Sequence, residues 1–394
     1  MQIILKLTTN CNLACTYCSE GDQQSKNLPL EFFKKLVTDL PELMTHIEDR
    51  KIEFIFHGGE PMLYGMENLR SLIHFARENL SNIELGFLMQ TNGTLIDDEW
   101  IKFFKEEQIR VGISLDGYPE IHDSNRRDKN GNPTAQKILD NIRKMCESNL
   151  NVGILMVVTK NLDAERLFKF IRENDLNPKI HPVIPCGRAS NRIDSMEIYE
   201  SYVEIMKKLL ELSLLEENAK IIDPLDEILD AILGRSPMHE CSFSGTCGTK
   251  FLSLYPDGEV GFCGRDNLAR FLTYGNIQDS TLIELYKSDN AKKIRDRQKI
   301  LRDGICKNCS DWEFCHGGCA FESINSNGNL NSKYPLCESR RKFLAWLKID
   351  GLKLLKSMLV REKKKHRESL RIKKQIRKRA ESITPDEVFK NGRA

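Results

Sequence analysis

Through the first half of the chain, short and nearly continuous apolar runs alternate with longer stretches in which apolar residues recur every three or four positions. The runs at 3–7, 52–56, 85–90, 110–114, 153–159 and 180–184 predict strands. The stretches at 31–40, 67–80, 97–107, 135–148 and 163–173 predict amphipathic helices. Strands without polar alternation are buried on both faces, so these βα repeats predict a parallel α/β sheet covered by helices. Six units fall short of the eight that close a barrel. The pattern alone leaves a partial barrel and a doubly wound open sheet both standing.

The text then changes. From 191 to 233 it is helical and acidic, with Pro224 set to break it. Residues 241–337 carry short apolar runs, many glycines and closely spaced cysteines. Such a segment is expected to have little core of its own and to draw folding free energy from bound metal. From 338 to 360 an apolar stripe (Phe343, Trp346, Leu347, Leu354, Leu355, Met358) predicts a helix packed back on the body. The expected divisions are 1–190, 191–240, 241–337 and 338–394.

Charge separates the last segment from the rest. The formal net charge is +2, yet 353–379 holds 13 Lys or Arg against two Glu, a local +11 that leaves −9 elsewhere. Three readings of this basic tail are open: a solvated helix, attraction of an acidic leader peptide, or nonspecific contact with nucleic acid. No aromatic residue lies among its charges, so base stacking has no support and a nucleic-acid partner is not expected. No apolar run is long enough to span a membrane, and the first residues lack a secretory pattern. A cytoplasmic protein is expected, and there the 13 cysteines read as metal ligands rather than disulfides. They also cluster: three precede residue 20, eight fall between 241 and 337, and only Cys146 and Cys186 stand apart.

Cys11, Cys15 and Cys18 are spaced x3 and x2 in the loop that leaves the first strand. A zinc site would take four protein ligands, and no fourth lies nearby. Three thiolates without a fourth ligand favour a four-iron cluster with one iron open. This loop, Cys11-Asn12-Leu13-Ala14-Cys15-Thr16-Tyr17-Cys18, resembles the cluster loop of the radical S-adenosylmethionine (SAM) enzymes. His57-Gly58-Gly59-Glu60-Pro61 is similar to their Gly-Gly-Glu-Pro motif, and Gln90-Thr91-Asn92-Gly93 and Ser114-Leu115-Asp116-Gly117 end the third and fourth strands.

The resemblance implies a partial (β/α)6 barrel whose open iron chelates S-adenosylmethionine, with hydrogen abstraction by a 5′-deoxyadenosyl radical. It places Tyr17 by the adenine and Gly58, Gly59, Glu60 and Pro61 at the methionine amino group. It sends Ser114 and Asp116 to the ribose or methionine portion, and makes Arg126 the carboxylate-binding arginine. His57, Gln90 and Asn92 join the cofactor-binding set. An external electron donor of flavodoxin or ferredoxin type is implied.

The later cysteines resemble the SPASM extension of radical enzymes that modify peptides and proteins; two zinc ribbons are the alternative. By that resemblance Cys241, Cys247, Cys263 and Cys319 hold one auxiliary 4Fe-4S cluster and Cys306, Cys309, Cys315 and Cys337 the other, making three clusters in all, with electron transfer as the auxiliary role. Anaerobic sulfatase maturases share the layout but place an acid directly after the ligand corresponding to Cys263. Here that position is Gly264, followed by Arg265 and Asp266, with Asp266 the candidate base. Enzymes that crosslink or oxidise ribosomally made peptides fit better. An iron–sulfur electron carrier is the rival of another class. Only ten residues precede Cys11, so a leader peptide is expected to need the bridge, the cysteine-rich region or a separate leader-binding protein. Cys186 is expected to face the pocket as a candidate functional thiol, and Cys146 to be packed in its helix.

Overall fold

The computed structural model describes the chain except residues 22–23, 160–161, 191–193, 217–219, 268–269, 362, 364–373 and 376–394, and the side chains of 195, 266 and 267. Most of the basic tail therefore lies outside the described residues. Six parallel strands, β1 (Gln2–Thr8), β2 (Lys51–Gly58), β3 (Glu84–Thr91), β4 (Ile109–Ser114), β5 (Val152–Val158) and β6 (Pro178–Pro182), lie side by side in chain order. Between them run α1 (Leu30–His46), α2 (Met66–Asn79), α3 (Asp98–Glu106), the short α4 (Pro119–Asn125), α5 (Ala135–Glu147) and α6 (Ala164–Glu173). Crossovers between parallel strands are right-handed, so a strictly consecutive order stacks every helix on one face. A doubly wound sheet reverses its order partway, and this one does not. The fold is the partial (β/α)6 barrel.

The helices form where the pattern placed them, for local reasons. Asp97 caps α3 by accepting from the Trp100 amide at 2.9 Å, and Asp163 caps α6 by accepting from the Arg166 amide at 2.7 Å. Each then turns one apolar stripe inward, Trp100, Ile101, Phe103 and Phe104 in α3 and Leu167, Phe168, Phe170 and Ile171 in α6. Helix α4 escaped the pattern because Pro119, Asp123, Ser124 and Asn125 read as loop.

Beyond β6, α7 (Ser195–Leu215) packs against α6 and buries Met206, Leu209 and Leu210 completely. Pro224 breaks the chain as expected and sits at the N-cap of α8 (Leu225–Ile232). The cysteine-rich segment corrects an expectation. It adds β7 (Phe251–Leu254) parallel to β1, then β8 (Glu259–Gly261) and β9 (Thr273–Asn276) antiparallel, extending one nine-stranded sheet. Leu254 and Tyr255 are fully buried, Leu252, Val260, Phe262 and Phe321 nearly so, and all but Tyr255 belong to the barrel's own core. The segment has less need of metal for its folding than its composition suggested. A helix at Leu282–Lys287 packs on α1, where Asp39 accepts from the Leu282 amide at 3.0 Å. The predicted C-terminal helix runs Cys337–Trp346, passes through a π turn at Leu347–Gly351, and continues at 352–361. Among the described residues, no helix is long and apolar enough to cross a membrane.

Candidate active site

The carboxyl ends of the strands surround a cavity of about 380 Å³. Strand β1 shows how it is lined. Its alternation turns Ile3, Leu5 and Leu7 into the core, while Ile4 and Lys6 line the cavity. Lys6 is 2% exposed, and its Nζ donates to Glu20 Oε1 at 2.6 Å. A lysine inside a buried strand is the sequence signal for this pair, and it lies outside the motifs.

Past β1, the loop with Cys11, Cys15 and Cys18 is docked from three sides. Ala14 and Thr16 amides donate to the carbonyls of Arg127 and Asn125 at 2.8 and 2.9 Å. Asn92 Nδ2, at the end of β3, donates to Asn12 Oδ1 at 2.8 Å. From the turn after β6, the Arg188 amide donates to the Cys18 carbonyl and its Nη1 to the Cys15 carbonyl, both at 3.0 Å. All three cysteines line the cavity without disulfide partners. Burial pushes the Cys11 thiol up to about 12 and raises Cys15 as well. Three soft sulfur donors, desolvated and mutually repelling as thiolates, are a donor set completed by a cationic iron–sulfur core.

Tyr17 and Arg126 both line this cavity, and Asp116 behind them joins them. The Asp116 carboxylate accepts from Tyr17 Oη, from Arg126 Nε at 2.8 Å and from the Val157 amide at 3.1 Å, and is fully buried. The Arg126 guanidinium lies 5.2 Å from the centre of the Tyr17 ring. Asp116 does not border the cavity; it holds the two residues that do. Glu60 is likewise fully buried and outside the lining. It accepts from Thr91 Oγ1 at 2.7 Å and from the Asn92 and Met62 amides at 2.8 and 3.1 Å. Burial raises its carboxyl to about 7. Pro61 opens a short 3-10 turn behind it and does not border the cavity.

Gly58 and Gly59 do line the cavity, pressed onto the cluster loop. A Cβ on Gly59 would stand 2.2 Å from the Asn10 carbonyl oxygen. Gln90 and Ser114 face the cavity hydrogen-bonded to each other at 3.1 Å. His57 Nδ1 accepts from the Gly58 amide at 2.7 Å, with Lys6 Nζ 3.3 Å away. Burial and that lysine lower its imidazole to about 3, so His57 is a poor proton acceptor.

The same cavity is lined by Cys241, Cys247, Cys263 and Cys319, so the first and later cysteines share it. These four lie within Coulombic reach of one another, and burial raises Cys241, Cys247 and Cys319. Cys306, Cys309, Cys315 and Cys337 form a second group outside the cavity, in which burial raises Cys306 and Cys337. Eight free thiols in two sets of four have the donor chemistry of two fully ligated iron–sulfur sites. Buried Arg297 lies within reach of both sets.

Cys186 lines the cavity and burial pushes its thiol up to about 11. Cys146 does not pack: it is exposed on α5, whose inward stripe is Ile138, Leu139, Ile142 and Met145. Asp266 lies in a short 3-10 turn, and its side chain is outside the described residues. His181 and Arg265 line the cavity and escaped the motifs, because neither sits in a recognisable spacing. A larger cleft of about 730 Å³ opens at the amino-terminal ends of β1 and β2, lined by no cysteine and meeting this cavity only at Phe251.

The sequence matches the Radical SAM superfamily over residues 5–173 and the SPASM iron-sulfur cluster-binding domain over residues 241–310. It is 32% identical to the cysteine-type anaerobic sulfatase-maturating enzyme of Clostridium novyi (strain NT), across 86% of this chain and 93% of that one. The serine-type enzyme of Bacteroides thetaiotaomicron is 25% identical, across 78% and 80%. Among solved structures, native anSMEcpe with bound AdoMet superposes with a TM-score of 0.75 at 26% identity, over 91% of this chain and 99% of that one. Streptococcus suis SuiB shares the fold, with a TM-score of 0.59 at 15% identity over 86% and 77%. A three-cysteine loop on β1, a consecutive partial barrel and two further sets of four thiols agree with these likenesses, and the chain belongs to the radical SAM superfamily as a SPASM-type enzyme of the maturase kind.

Proposed function

We propose that the protein removes a hydrogen atom from one residue of a peptide or protein segment held in the shared cavity, giving a crosslinked or oxidised residue. The observation that carries this reading is that one cavity is lined both by Cys11, Cys15 and Cys18 and by Cys241, Cys247, Cys263 and Cys319. With the cofactors bound, a substrate in that cavity would meet a hydrogen acceptor and an electron acceptor together.

When bound, a 4Fe-4S cluster and S-adenosylmethionine supply a 5′-deoxyadenosyl radical. Cys11, Cys15 and Cys18 would hold that cluster. Tyr17 and Arg126, fixed by Asp116, would frame the nucleotide, and Gly58 and Gly59 give it close approach to backbone. Gln90 and Ser114 offer paired polar atoms beside them. Cys241, Cys247, Cys263 and Cys319 would hold the first auxiliary cluster, and Cys306, Cys309, Cys315 and Cys337 the second. An external one-electron donor is needed, and a separate leader-binding protein fits a ribosomal peptide substrate. Cys186 faces the cavity as a candidate thiol for proton or hydrogen transfer.

A second reading is favoured by the identity with the sulfatase-maturating enzymes: formylglycine formation on a sulfatase. Against it stands Gly264, where a Cβ would come within 3.1 Å of Ile4 Cγ2, so the loop has no side chain and little room for an acid there.

Anaerobically reconstituted protein with dithionite is expected to convert S-adenosylmethionine into 5′-deoxyadenosine, and an iron–sulfur electron carrier would not. Replacing Cys11, Cys15 and Cys18 with Ala should abolish the conversion and leave about eight of about twelve irons. Conversion by the triple variant would refute the assignment. Mass spectrometry of a sulfatase-derived cysteine peptide, compared with precursor peptides encoded nearby, separates the two substrate readings.

A further inference from the structure

Cys315 and Cys319 fall in different sets, yet only three residues separate them. His316, Gly317 and Gly318 form that link, and all three are left-handed, at φ +49°, +84° and +70°. The turn is tightly packed. A Cβ on Gly317 would stand 2.4 Å from Leu301 Cδ1, and one on Gly318 2.4 Å from Tyr334 Cγ. Two of its carbonyls meet Arg297, which sits on the helix Asp289–Asp303 and is 4% exposed. Arg297 Nη2 donates to the Gly317 carbonyl at 2.8 Å, and Nη1 to the Gly318 carbonyl at 3.0 Å. Nε donates to the Leu330 carbonyl at 2.7 Å. Nη2 also donates to Ser323 Oγ at 2.9 Å, and that hydroxyl donates in turn to the Cys319 carbonyl at 3.0 Å.

Every one of these acceptors is neutral. Glu322 lies next to Ser323 in the chain, but its carboxylate accepts from Tyr334 Oη at 3.2 Å, and among the described residues Arg297 makes no ion pair. Neutral acceptors satisfy the N–H groups of a buried guanidinium and leave its charge uncompensated, which is costly at a desolvated position. Arginine cannot shed that charge. The groups that act on it most strongly are cysteines of both sets: Cys247 and Cys319 from one, Cys306 and Cys315 from the other. A four-iron core held by four thiolates is net negative, and more so once reduced. One fixed cation within reach of two such sites favours the reduced form of each.

We infer that Arg297 is the shared counter-charge of the two auxiliary sites and raises the reduction potential of both together. It exchanges neither proton nor electron. When one electron passes between the sets, oxidising one and reducing the other, the same cation faces it before and after. The inference rests on the proposed ligation of the two sets, and adds a residue that sets their potentials from outside the ligand shell.

Protein-film voltammetry of the reconstituted full-length protein tests it without turnover. The triple change of Cys11, Cys15 and Cys18 to Ala identifies the first cluster's wave, leaving two auxiliary waves. Arg297→Gln keeps a neutral donor for the carbonyls and removes the charge. Both auxiliary waves are expected to move to lower potential by about 59 mV, a tenfold loss in each one-electron reduction equilibrium. The first cluster's wave should stay in place. Arg297→Lys keeps the charge and loses the planar fork, and should leave all three waves near their wild-type positions. A shift in one auxiliary wave only, in neither, in all three, or an equal shift in the Lys and Gln variants overturns the inference, because a carbonyl staple alone would not follow charge. If Arg297→Gln fails to keep about eight auxiliary irons, the Lys variant decides. Full loading with wild-type waves then supports the counter-charge, while lost iron or displaced waves overturns it. Wild-type protein that takes up about four irons instead of about twelve sinks the auxiliary ligation itself. Full iron with auxiliary waves indifferent to Arg297 sinks this inference alone.

Discussion

His122 is fully buried behind the Tyr17–Asp116–Arg126 group, where its Nδ1 accepts from the Asp116 amide at 3.1 Å and its Nε2 meets Thr134 Oγ1 at 3.1 Å. Burial, working against the attraction of Asp116, lowers its imidazole to about 4. In the unfolded chain it titrates near 6.5, so between pH 6.5 and 4 the unfolded state binds the proton and the folded state does not. The sign follows: the stability held above pH 6.5 drains away as the pH falls toward 4. The shift corresponds to about 3 kcal/mol over that window. His122→Asn keeps an acceptor for the Asp116 amide and removes the proton site. Urea unfolding as a function of pH should show a shallower acid loss for that variant than for wild type, while identical slopes would mean His122 is not the group that senses acid.

At the scale of elements, the cluster loop is held by its neighbours more than by itself. The turn after β6 presses Gly187, at φ +57°, onto the loop: a Cβ there would stand 2.2 Å from the Cys18 carbonyl oxygen. Gly187→Ala therefore adds a left-handed strain of about 1–2 kcal/mol to a backbone clash. The relief is to push the loop outward, away from the Arg188 bonds that fix Cys15 and Cys18. Iron content should fall by roughly four of about twelve irons, with circular dichroism unchanged; full iron occupancy would show that the loop tolerates the displacement.

This contact also marks where the sequence stops being readable. Strands such as β3 and β5 and helices such as α6 were legible because periodicity is local and their burial follows it. The cysteine sets were legible because spacing in the chain constrains spacing in space. The place of Arg265 in the cavity and the grip of Gly187 on Cys18 arise from residues far apart along the chain, which no window of the sequence contains, whereas Lys6–Glu20 spans only 14 residues and was signalled by a lysine in a buried strand. Strands β7 to β9 were missed for a related reason. They are only three or four residues long and gain their stability by pairing with β1 and one another rather than from an alternation of their own.

At the scale of the whole molecule, β1 is central: β2 pairs on one side and β7 on the other, with Ile3 facing both Phe54 and Leu252. The cysteine-rich segment is thus the continuation of the barrel's sheet rather than an appendage to its surface. Removing everything after residue 240 would strip β7 from β1 and bare an unpaired edge on a strand whose Ile3, Leu5 and Leu7 are completely buried. It would also uncover α1 where the helix at Leu282–Lys287 lies. Parallel strands buried on both faces have no means of protecting an open edge. The fragment 1–240 is accordingly expected to aggregate, and its soluble yield and size-exclusion profile check this. A monodisperse fragment with native circular dichroism would show that the barrel is complete without β7. If it aggregates as expected, one sheet carries both cysteine sets of the shared cavity: β1 leads into the first, and Cys247 and Cys263 of the second flank β7 and β8, so their separation is set by hydrogen-bonded strands and not by a hinge.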